Sequence, residues 1–276
     1  MQTMEKLAMP ITQPFSIFKS LPTFYEKIKM EKEEKLPGAC FVSGVPGSFY
    51  CRLFPRKSLH FVHSSYSVHW LSQVPERLEN KGNIYIARTS PPTVFEAYLK
   101  QFQMDFSTFL SLRSEEIVVG GPMILTFLSR RIADPTDKDC CILWELLTKS
   151  LLDLVTEGLV QKEAIDSFNF PFYYPYKDEV KAIIEKEGSF NLERLEVSEW
   201  DAIDYDDDEH FVFDKDRNGK NVANCVRAVT EPLLVSHFGE FIVDDVFKKF
   251  TNYVADHLCS EKSDKVINIV VSLSKK

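Results

Sequence analysis

Apolar positions along this chain switch between two periods. From Pro91 to Ile117, the residues Phe95, Tyr98, Leu99, Phe102, Phe106, Phe109 and Leu110 recur at spacings of three and four, the repeat of one helix face. Pro91 and Pro92 open that stretch and Gly120–Gly121 follow it, as helix boundaries require. The same reasoning predicts helices over Cys140–Glu157, stopped by Gly158, and over Asp178–Glu187, stopped by Gly188. A further helical stretch covers Asn221–Leu258, with a break near Gly239. Short apolar or alternating runs predict strands at Ala39–Ser43, Ser58–His63, Pro122–Leu128, Phe190–Val197 and Val266–Leu273. Gly44–Ser48 reads as a turn. A helix is expected to start near Ser64–Ser65, which are good N-caps. Residues 1–14 read as an irregular arm, and Ile17–Lys35 as a short helix running into a solvated charged run. Strands alternating with helices argue for an α/β fold with a largely parallel sheet. The helices between 140 and 174 and between 221 and 258 exceed what crossovers need, so they are expected to form a helical cap. A sheet with a cap makes a cleft for a small molecule.

Composition changes this picture little. The 276 residues are 44% hydrophobic and 27% charged, which suits one large folded domain and excludes a disordered or low-complexity chain. No run of 18 apolar residues is present, so a membrane span is not expected. The first residues lack the basic start and apolar block of a signal peptide. Six cysteines without a CxxC pair give neither a disulfide framework nor a zinc site, and reduced thiols in a cytoplasmic protein are expected. The net charge of −8 is local: residues 196–216 hold ten acids and one lysine, a net of −9, leaving the remainder near +1. That balance argues against a nucleic-acid partner.

Most motif chemistry is excluded by inspection. There is no GxSxG elbow, no GxGxxG, no Walker A and no HExxH. Asp214-Lys215-Asp216-Arg217-Asn218-Gly219 copies the first half of an EF-hand loop, but the twelfth position is Cys225 where calcium needs a bidentate Glu, so a solvated acidic loop is expected. One cluster says more. Tyr66, His69 and Trp70 lie at i, i+3 and i+4, and on a helix they would share a face. Each carries an apolar body with a hydrogen-bonding tip, suited to a cleft mouth, although such a stripe read alone is more often core packing.

The order of longer motifs carries a resemblance. GVPGSFYCRLFP (Gly44–Pro55) is followed by LHFVHSSYSVHWLSQVP (Leu59–Pro75), NKGNIY (Asn80–Tyr85), EAYLKQFQMDFSTFL (Glu96–Leu110) and RSEEIV (Arg113–Val118). CCILWELL (Cys140–Leu147), IDSFNFP (Ile165–Pro171), EKEGSF (Glu185–Phe190), RAVTEPLLVSHFGE (Arg227–Glu240) and VVSLSKK (Val270–Lys276) continue it. From about residue 15 to 276 the chain resembles the SABATH family of plant methyltransferases, closest in look to the salicylate, benzoate and jasmonate carboxyl methyltransferases. The resemblance implies a Rossmann-like methyltransferase sheet with an α-helical cap. It implies a methyl group passed from S-adenosylmethionine to the carboxylate of a small hydrophobic or aromatic acid, in a protein that can form a homodimer. Core is expected over 1–130, 175–200 and 262–276, cap over 131–174 and 215–261, and an acidic loop over 201–214. By position, Ser48, Phe49 and Tyr66 match cofactor contacts. Tyr66, His69, Trp70, Leu143, Trp144 and Val266 match substrate contacts. Asn80, Asp166, Phe168 (through its carbonyl) and Asn169 match a magnesium site assigned in some members, where a water-bridged structural cluster is the other reading. No general base is implied, because the substrate carboxylate is already ionised at neutral pH.

The match also departs from the family. The Gly-rich turn, the ribose-binding Asp and the substrate-contacting arm that open family members are absent, and residues 1–104 contain no Asp at all. The first three strands of the methyltransferase sheet are then missing, and the strand at Leu59–His63 is expected to be an edge. A truncated gene model or paralogue is implied, with a non-catalytic remnant that binds a small acid or a partner subunit as the alternative function.

Overall fold

The computed structural model describes residues 43–76, 78–80, 82–201, 214–260 and 265–276, with the backbone alone at 138, 139 and 201. The expected arm, the Ile17–Lys35 helix, the strand before Ser43 and most of the acidic loop lie outside the described residues. Four strands form one sheet: β1 (Val62–Ser65), β2 (Pro122–Leu128), β3 (Phe190–Asp201) and β4 (Lys265–Lys275). The helices are α1 (Pro92–Glu116), α2 (Lys138–Thr156), α3 (Lys162–Asp166), α4 (Lys177–Glu187), α5 (Lys215–Phe238) and α6 (Val243–Ser260), with a single 3-10 turn at Glu240–Ile242 between the last two.

The strand order is β1-β2-β4-β3. β1 pairs parallel with β2, Val62 opposite Met123. β4 runs antiparallel to both neighbours, with Leu125 opposite Val271 on one side and Leu195 opposite Val271 on the other. β1, β2 and β3 therefore point one way and β4 the other. This corrects the expectation of a largely parallel sheet. An apolar run such as Ile267-Asn268-Ile269-Val270-Val271 reports burial on both faces, and burial is the same for either strand direction. Among the described residues β1 forms one edge of the sheet.

The α1 stripe is the largest block of the core. Tyr98, Phe102, Phe106, Phe109 and Leu110 are buried, Phe102 stacks on Phe106 at 5.5 Å, and Phe106 meets Phe127 of β2 edge-on at 6.1 Å. Each such ring, fully buried, contributes roughly 1.5–3 kcal/mol. Gly120 ends the connection in the left-handed region (φ 76°) and donates its N–H to the Lys275 carbonyl, which carries the chain directly into β2. The β1 expectation shifts by a few residues. Lys57, Ser58 and Leu59 give their N–H groups to the Glu115 and Glu116 carbonyls at the end of α1, so the strand begins only at Val62.

α2, α3, α5 and α6 pack on one another, whereas α4 packs on α1 and β3. Leu147, Leu151 and Leu154 of α2 face Val246, Phe250 and Val254 of α6 in one buried cluster, and Lys249 pairs with Glu157. α5 and α6 cross closely at Gly219, where a Cβ would lie 2.6 Å from that of Ala255. That contact settles the EF-hand-like stretch. Asp214 caps α5 by accepting the Arg217 N–H at 3.0 Å, and Gly219 lies inside the helix as a packing residue. Among the described residues no helix is long and apolar enough to cross a membrane.

Candidate active site

The residues after β1 form a turn where a helix was expected. Tyr66 sits in the left-handed region (φ 52°) and gives its N–H to Thr126 at 2.7 Å, extending the β1–β2 ladder by one bond. The Trp70 N–H closes a tight turn on the Ser67 carbonyl at 3.0 Å. Trp70 then pairs antiparallel with Phe172, flanked by bonds from Leu71 N–H to Pro171 O and from Tyr173 N–H to His69 O. These long-range backbone partners replace the i−4 bonds of a helix, and Ser, Tyr, Val and His at 65–69 have little helix propensity to oppose them. The three candidates still converge: the Tyr66 and His69 rings lie 6.5 Å apart, and those of His69 and Trp70 6.0 Å.

His69 is buried, 4% exposed, and its Nδ1 lies 3.3 Å from the Leu128 N–H at the end of β2. A backbone N–H can only donate, so Nδ1 accepts and the ring proton sits on Nε2. Burial lowers the ring's pKa to about 3, which keeps it neutral at physiological pH. Trp70 is half-buried with its ring edge-on to Phe172 at 5.5 Å, and its indole N–H has no acceptor among the described residues. His69 and Trp70 thus offer two adjacent N–H donors.

Behind them lies an aromatic wall. Phe172 stacks on Tyr85 at 4.2 Å and meets Trp144 at 4.5 Å, and Trp144 also touches Phe170 at 5.3 Å. Tyr174 packs its ring on Phe172 at 5.1 Å. Leu143 is half-buried beside it on α2. Arg130, buried after β2, donates to the Tyr173 hydroxyl at 2.9 Å and the Tyr174 carbonyl at 2.5 Å, and pairs with Glu179. Val266 lies elsewhere, opposite Trp200 on β4, two residues before the Asn268 that pairs with Leu128. It shares the sheet end that carries His69.

The cofactor candidates Ser48 and Phe49 lie in a turn closed by Cys51 N–H to Ser48 O at 2.9 Å, a few residues beyond the expected Gly44–Ser48 turn. Ser48 is exposed, and the Phe49 ring packs on Tyr50 at 4.5 Å and on Phe109 at 6.4 Å. The turn has no regular structure of its own, so its backbone groups need partners. Arg113 donates to the Phe49 and Cys51 carbonyls at 3.3 and 2.7 Å. The Glu116 carboxylate accepts from Leu53 and Phe54 N–H at 2.6 and 3.0 Å, and from Arg113 at 2.9 Å. Its second oxygen lies 2.8 Å from Arg113 Nε, close for the charges but off line for a hydrogen bond. A groove of about 380 Å³ opens beside β1, lined by Phe49, Phe61, Ser65, Ser67, Phe109 and Arg113 among others. Its rings and hydroxyls suit an adenosine group. Ser48 and Tyr66 do not line it, and neither does any carboxylate that could take ribose hydroxyls.

The residues matched to magnesium are differently arranged. Asn80 donates to Tyr85 O at 2.9 Å and to Asn169 Oδ1 at 3.0 Å, and its own Oδ1 accepts from Ser90 Oγ at 2.5 Å. Asp166 is largely exposed and paired with Lys162 at 2.8 Å, and Phe168 packs its ring on Phe170 and Phe238. Both carboxamide oxygens are engaged by protein donors and the single carboxylate is already neutralised. This arrangement does not fit a magnesium ion, which requires free, converging oxygens. Among the described residues no group of three or more His, Cys, Asp or Glu could hold a metal.

The profile of the SAM-dependent carboxyl methyltransferase family matches residues 15–276. The chain belongs to that family. The benzoic acid/salicylic acid carboxyl methyltransferase 2 of Petunia hybrida is 52% identical over 263 residues, which cover 94% of this chain and 71% of the relative. The salicylate/benzoate carboxyl methyltransferase of Arabidopsis thaliana is 49% identical over 94% of this chain and 66% of its own length. A probable jasmonic acid carboxyl methyltransferase 1 of Theobroma cacao is also 49% identical, over 95% and 72%. The solved structure of loganic acid methyltransferase with SAH superposes with a TM-score of 0.75 at 31% identity, covering 94% of this chain and 79% of that one. The mixed α/β architecture described above is therefore a methyltransferase fold.

Within this family member, several residues that build the site escaped the sequence reading. Phe172, Tyr85 and Arg130 shape the aromatic wall, the Leu128 N–H sets the His69 tautomer, and Arg113 and Glu116 hold the Phe49 turn. Asp105 accepts from Ser72 N–H at 2.8 Å and from Ser72 Oγ at 2.7 Å, fixing the chain just after Trp70. One signal was available for the wall: Phe168, Phe170, Phe172 and Tyr174 alternate with period two, the mark of an extended segment.

Proposed function

We propose that this carboxyl methyltransferase esterifies a small aromatic or jasmonate-like acid, using S-adenosylmethionine as methyl donor. The observation that carries the reading is the neutral His69 held as an Nε2–H donor beside the unpartnered indole N–H of Trp70. Two N–H donors on neighbouring residues can serve the two oxygens of a carboxylate. Bound S-adenosylmethionine supplies an electrophilic methyl on a sulfonium. The chain's task is then to hold the carboxylate in line and keep water out. His69 and Trp70 orient the oxygens, and Phe172, Tyr85 and Trp144 form the dry wall behind. Leu143, Trp144 and Val266 set the size of acyl group that fits, while Phe49 lines the groove that takes the adenosine, and Ser48 and Tyr66 are chain neighbours of residues that line it. No residue need remove a proton, because an acid with a pKa near 4 is already ionised. Magnesium has no part in this reading, given the internal bonding of Asn80 and Asn169.

The test is direct. The purified chain is incubated with methyl-labelled S-adenosylmethionine and salicylate, benzoate or jasmonate, and labelled methyl ester is extracted. Ester from one of these acids, lost in His69→Ala, is expected. Binding of acid without any ester would instead favour the non-catalytic reading.

A further inference from the structure

Tyr50 follows the cofactor candidates Ser48 and Phe49, yet its hydroxyl reaches the main chain of the substrate turn. Its Oη donates to the Trp70 carbonyl at 2.5 Å and lies 3.4 Å from the Val68 carbonyl. The geometry around Trp70 explains why this bond matters. In its pairing with Phe172 the flanking residues make the ladder bonds, so the N–H and carbonyl of Trp70 itself face away from that partner. The N–H goes to Ser67 O, and the carbonyl receives the Tyr50 hydroxyl. Burial, helped by the charge of Asp105, raises the Tyr50 pKa far above its ordinary value, so the group remains a donor. The other end of the bridge is equally fixed. The Tyr50 ring packs on Phe49, and the carbonyls on either side of Tyr50, at Phe49 and Cys51, both accept from Arg113.

We propose that Tyr50 is a positioning residue that couples the two halves of the site, so that cofactor on the Ser48–Cys51 turn fixes the His69–Trp70 donors. The coupling is reciprocal by thermodynamic necessity: each ligand tightens the other by the same factor. The inference rests on the carboxyl methyltransferase reading for its ligands, but its structural half can be read without them.

The variant is Tyr50→Phe, which keeps the ring and removes the hydroxyl. Without ligand, amide hydrogen exchange at Trp70 and Leu71 is expected to speed up about tenfold, while the β2 amides stay as in wild type. Unchanged protection at those two amides would overturn the proposal. With ligands, S-adenosylhomocysteine is expected to tighten salicylate binding in wild type by at least about fivefold, the lower end of typical coupling. In Tyr50→Phe that factor falls toward one, while the dissociation constant for S-adenosylhomocysteine alone moves by less than about twofold, because no cofactor contact is removed. As a control, Phe172→Leu trims the pocket wall without touching the hydroxyl. It is expected to weaken salicylate and keep the factor, and its losing the factor equally would refute a specific role for Tyr50. A wild-type chain that binds neither ligand would end both the coupling proposal and the functional reading, whereas exchange data alone would end only the former.

Discussion

His69 makes stability depend on pH in a calculable way. Its pKa is about 3 in the folded chain against an ordinary 6.5, and burial is the cause. The unfolded chain therefore binds a proton that the folded chain refuses whenever pH lies between those values. Stability from this group is fully present above about pH 6.5 and is lost as pH falls, at about 1.4 kcal/mol per unit once well below 6.5. Integrated from pH 7 to pH 5, the loss is about 2 kcal/mol. The figure is insensitive to the exact folded value, because pH 5 is still far above it. The assay is urea unfolding at pH 7 and pH 5 of the wild type and of His69→Gln, whose side-chain oxygen can still accept the Leu128 N–H. The wild type is expected to lose about 2 kcal/mol more than the variant. Parallel losses in the two proteins would refute the buried, neutral imidazole, and with it the assignment of an Nε2–H donor. The same ring predicts that kcat/KM shows no histidine titration between about pH 6 and 8.

Other outcomes follow from contacts already described. Glu116→Ala strands the buried Arg113 guanidinium and two backbone N–H groups, and urea unfolding should register a loss of about 3–5 kcal/mol. The paired Arg113→Met, Glu116→Leu variant should lose markedly less, since no buried charge is left alone. Trp70→Phe keeps a ring against Phe172 but removes the indole N–H. Steady-state kinetics should show KM for the acid raised about ten- to a hundredfold, the worth of one hydrogen bond to a charge, with cofactor affinity unchanged. Asn80→Ala should destabilise the fold by at least about 2 kcal/mol through orphaned partners, and saturating magnesium should leave the thermal midpoint of the wild type unmoved.

Much of the scaffold was legible because its elements are periodic. The α1 stripe from Tyr98 to Leu110 and the run Pro122–Leu128 announce a helix and a strand without tertiary information. Strand direction was not legible, since Ile267, Ile269, Val271 and Leu273 would be buried in either orientation. The site was legible by resemblance in its residues but not in its shape. Tyr66, His69 and Trp70 carry helical spacing, yet their backbone bonds are with Thr126, Tyr173 and Ser67, and the distant partners Thr126 and Tyr173 are revealed by no local pattern. The buried polar groups left a fainter trace. Asp105, Arg113 and Glu116 fall in phase with Tyr98, Phe102 and Phe109 on the same face of α1. A charge in the buried phase of a helix needs a partner, and each of these three supplies one to a turn of the site.

This division of labour has a consequence for specificity. Both candidate turns, Ser48–Cys51 and Tyr66–Trp70, lie outside helix and named strand, so side chains complete what their few backbone bonds leave open. Arg113 holds the Phe49 and Cys51 carbonyls and Tyr50 the Trp70 carbonyl, while Glu116 and Asp105 fix the chain just beyond, at Leu53–Phe54 and Ser72; all are buried or half-buried, and none is matched to the acyl group. Leu143 and Trp144 on α2 and Val266 on β4 belong to elements that keep their backbone bonds whatever side chain they carry. A substitution at Leu143 or Val266 can therefore change which acid fits while the donors of His69 and Trp70 stay in place. A substitution at Tyr50, or at Arg113, which holds the carbonyls on either side of Tyr50, should disturb the Trp70 carbonyl contact and depress turnover for every acid alike. On the proposed reading selectivity and competence reside in different residues, and an acid-by-acid comparison of Val266→Leu with Arg113→Lys tests this: ratios among acids are expected to change in the first, and all rates to fall in proportion in the second.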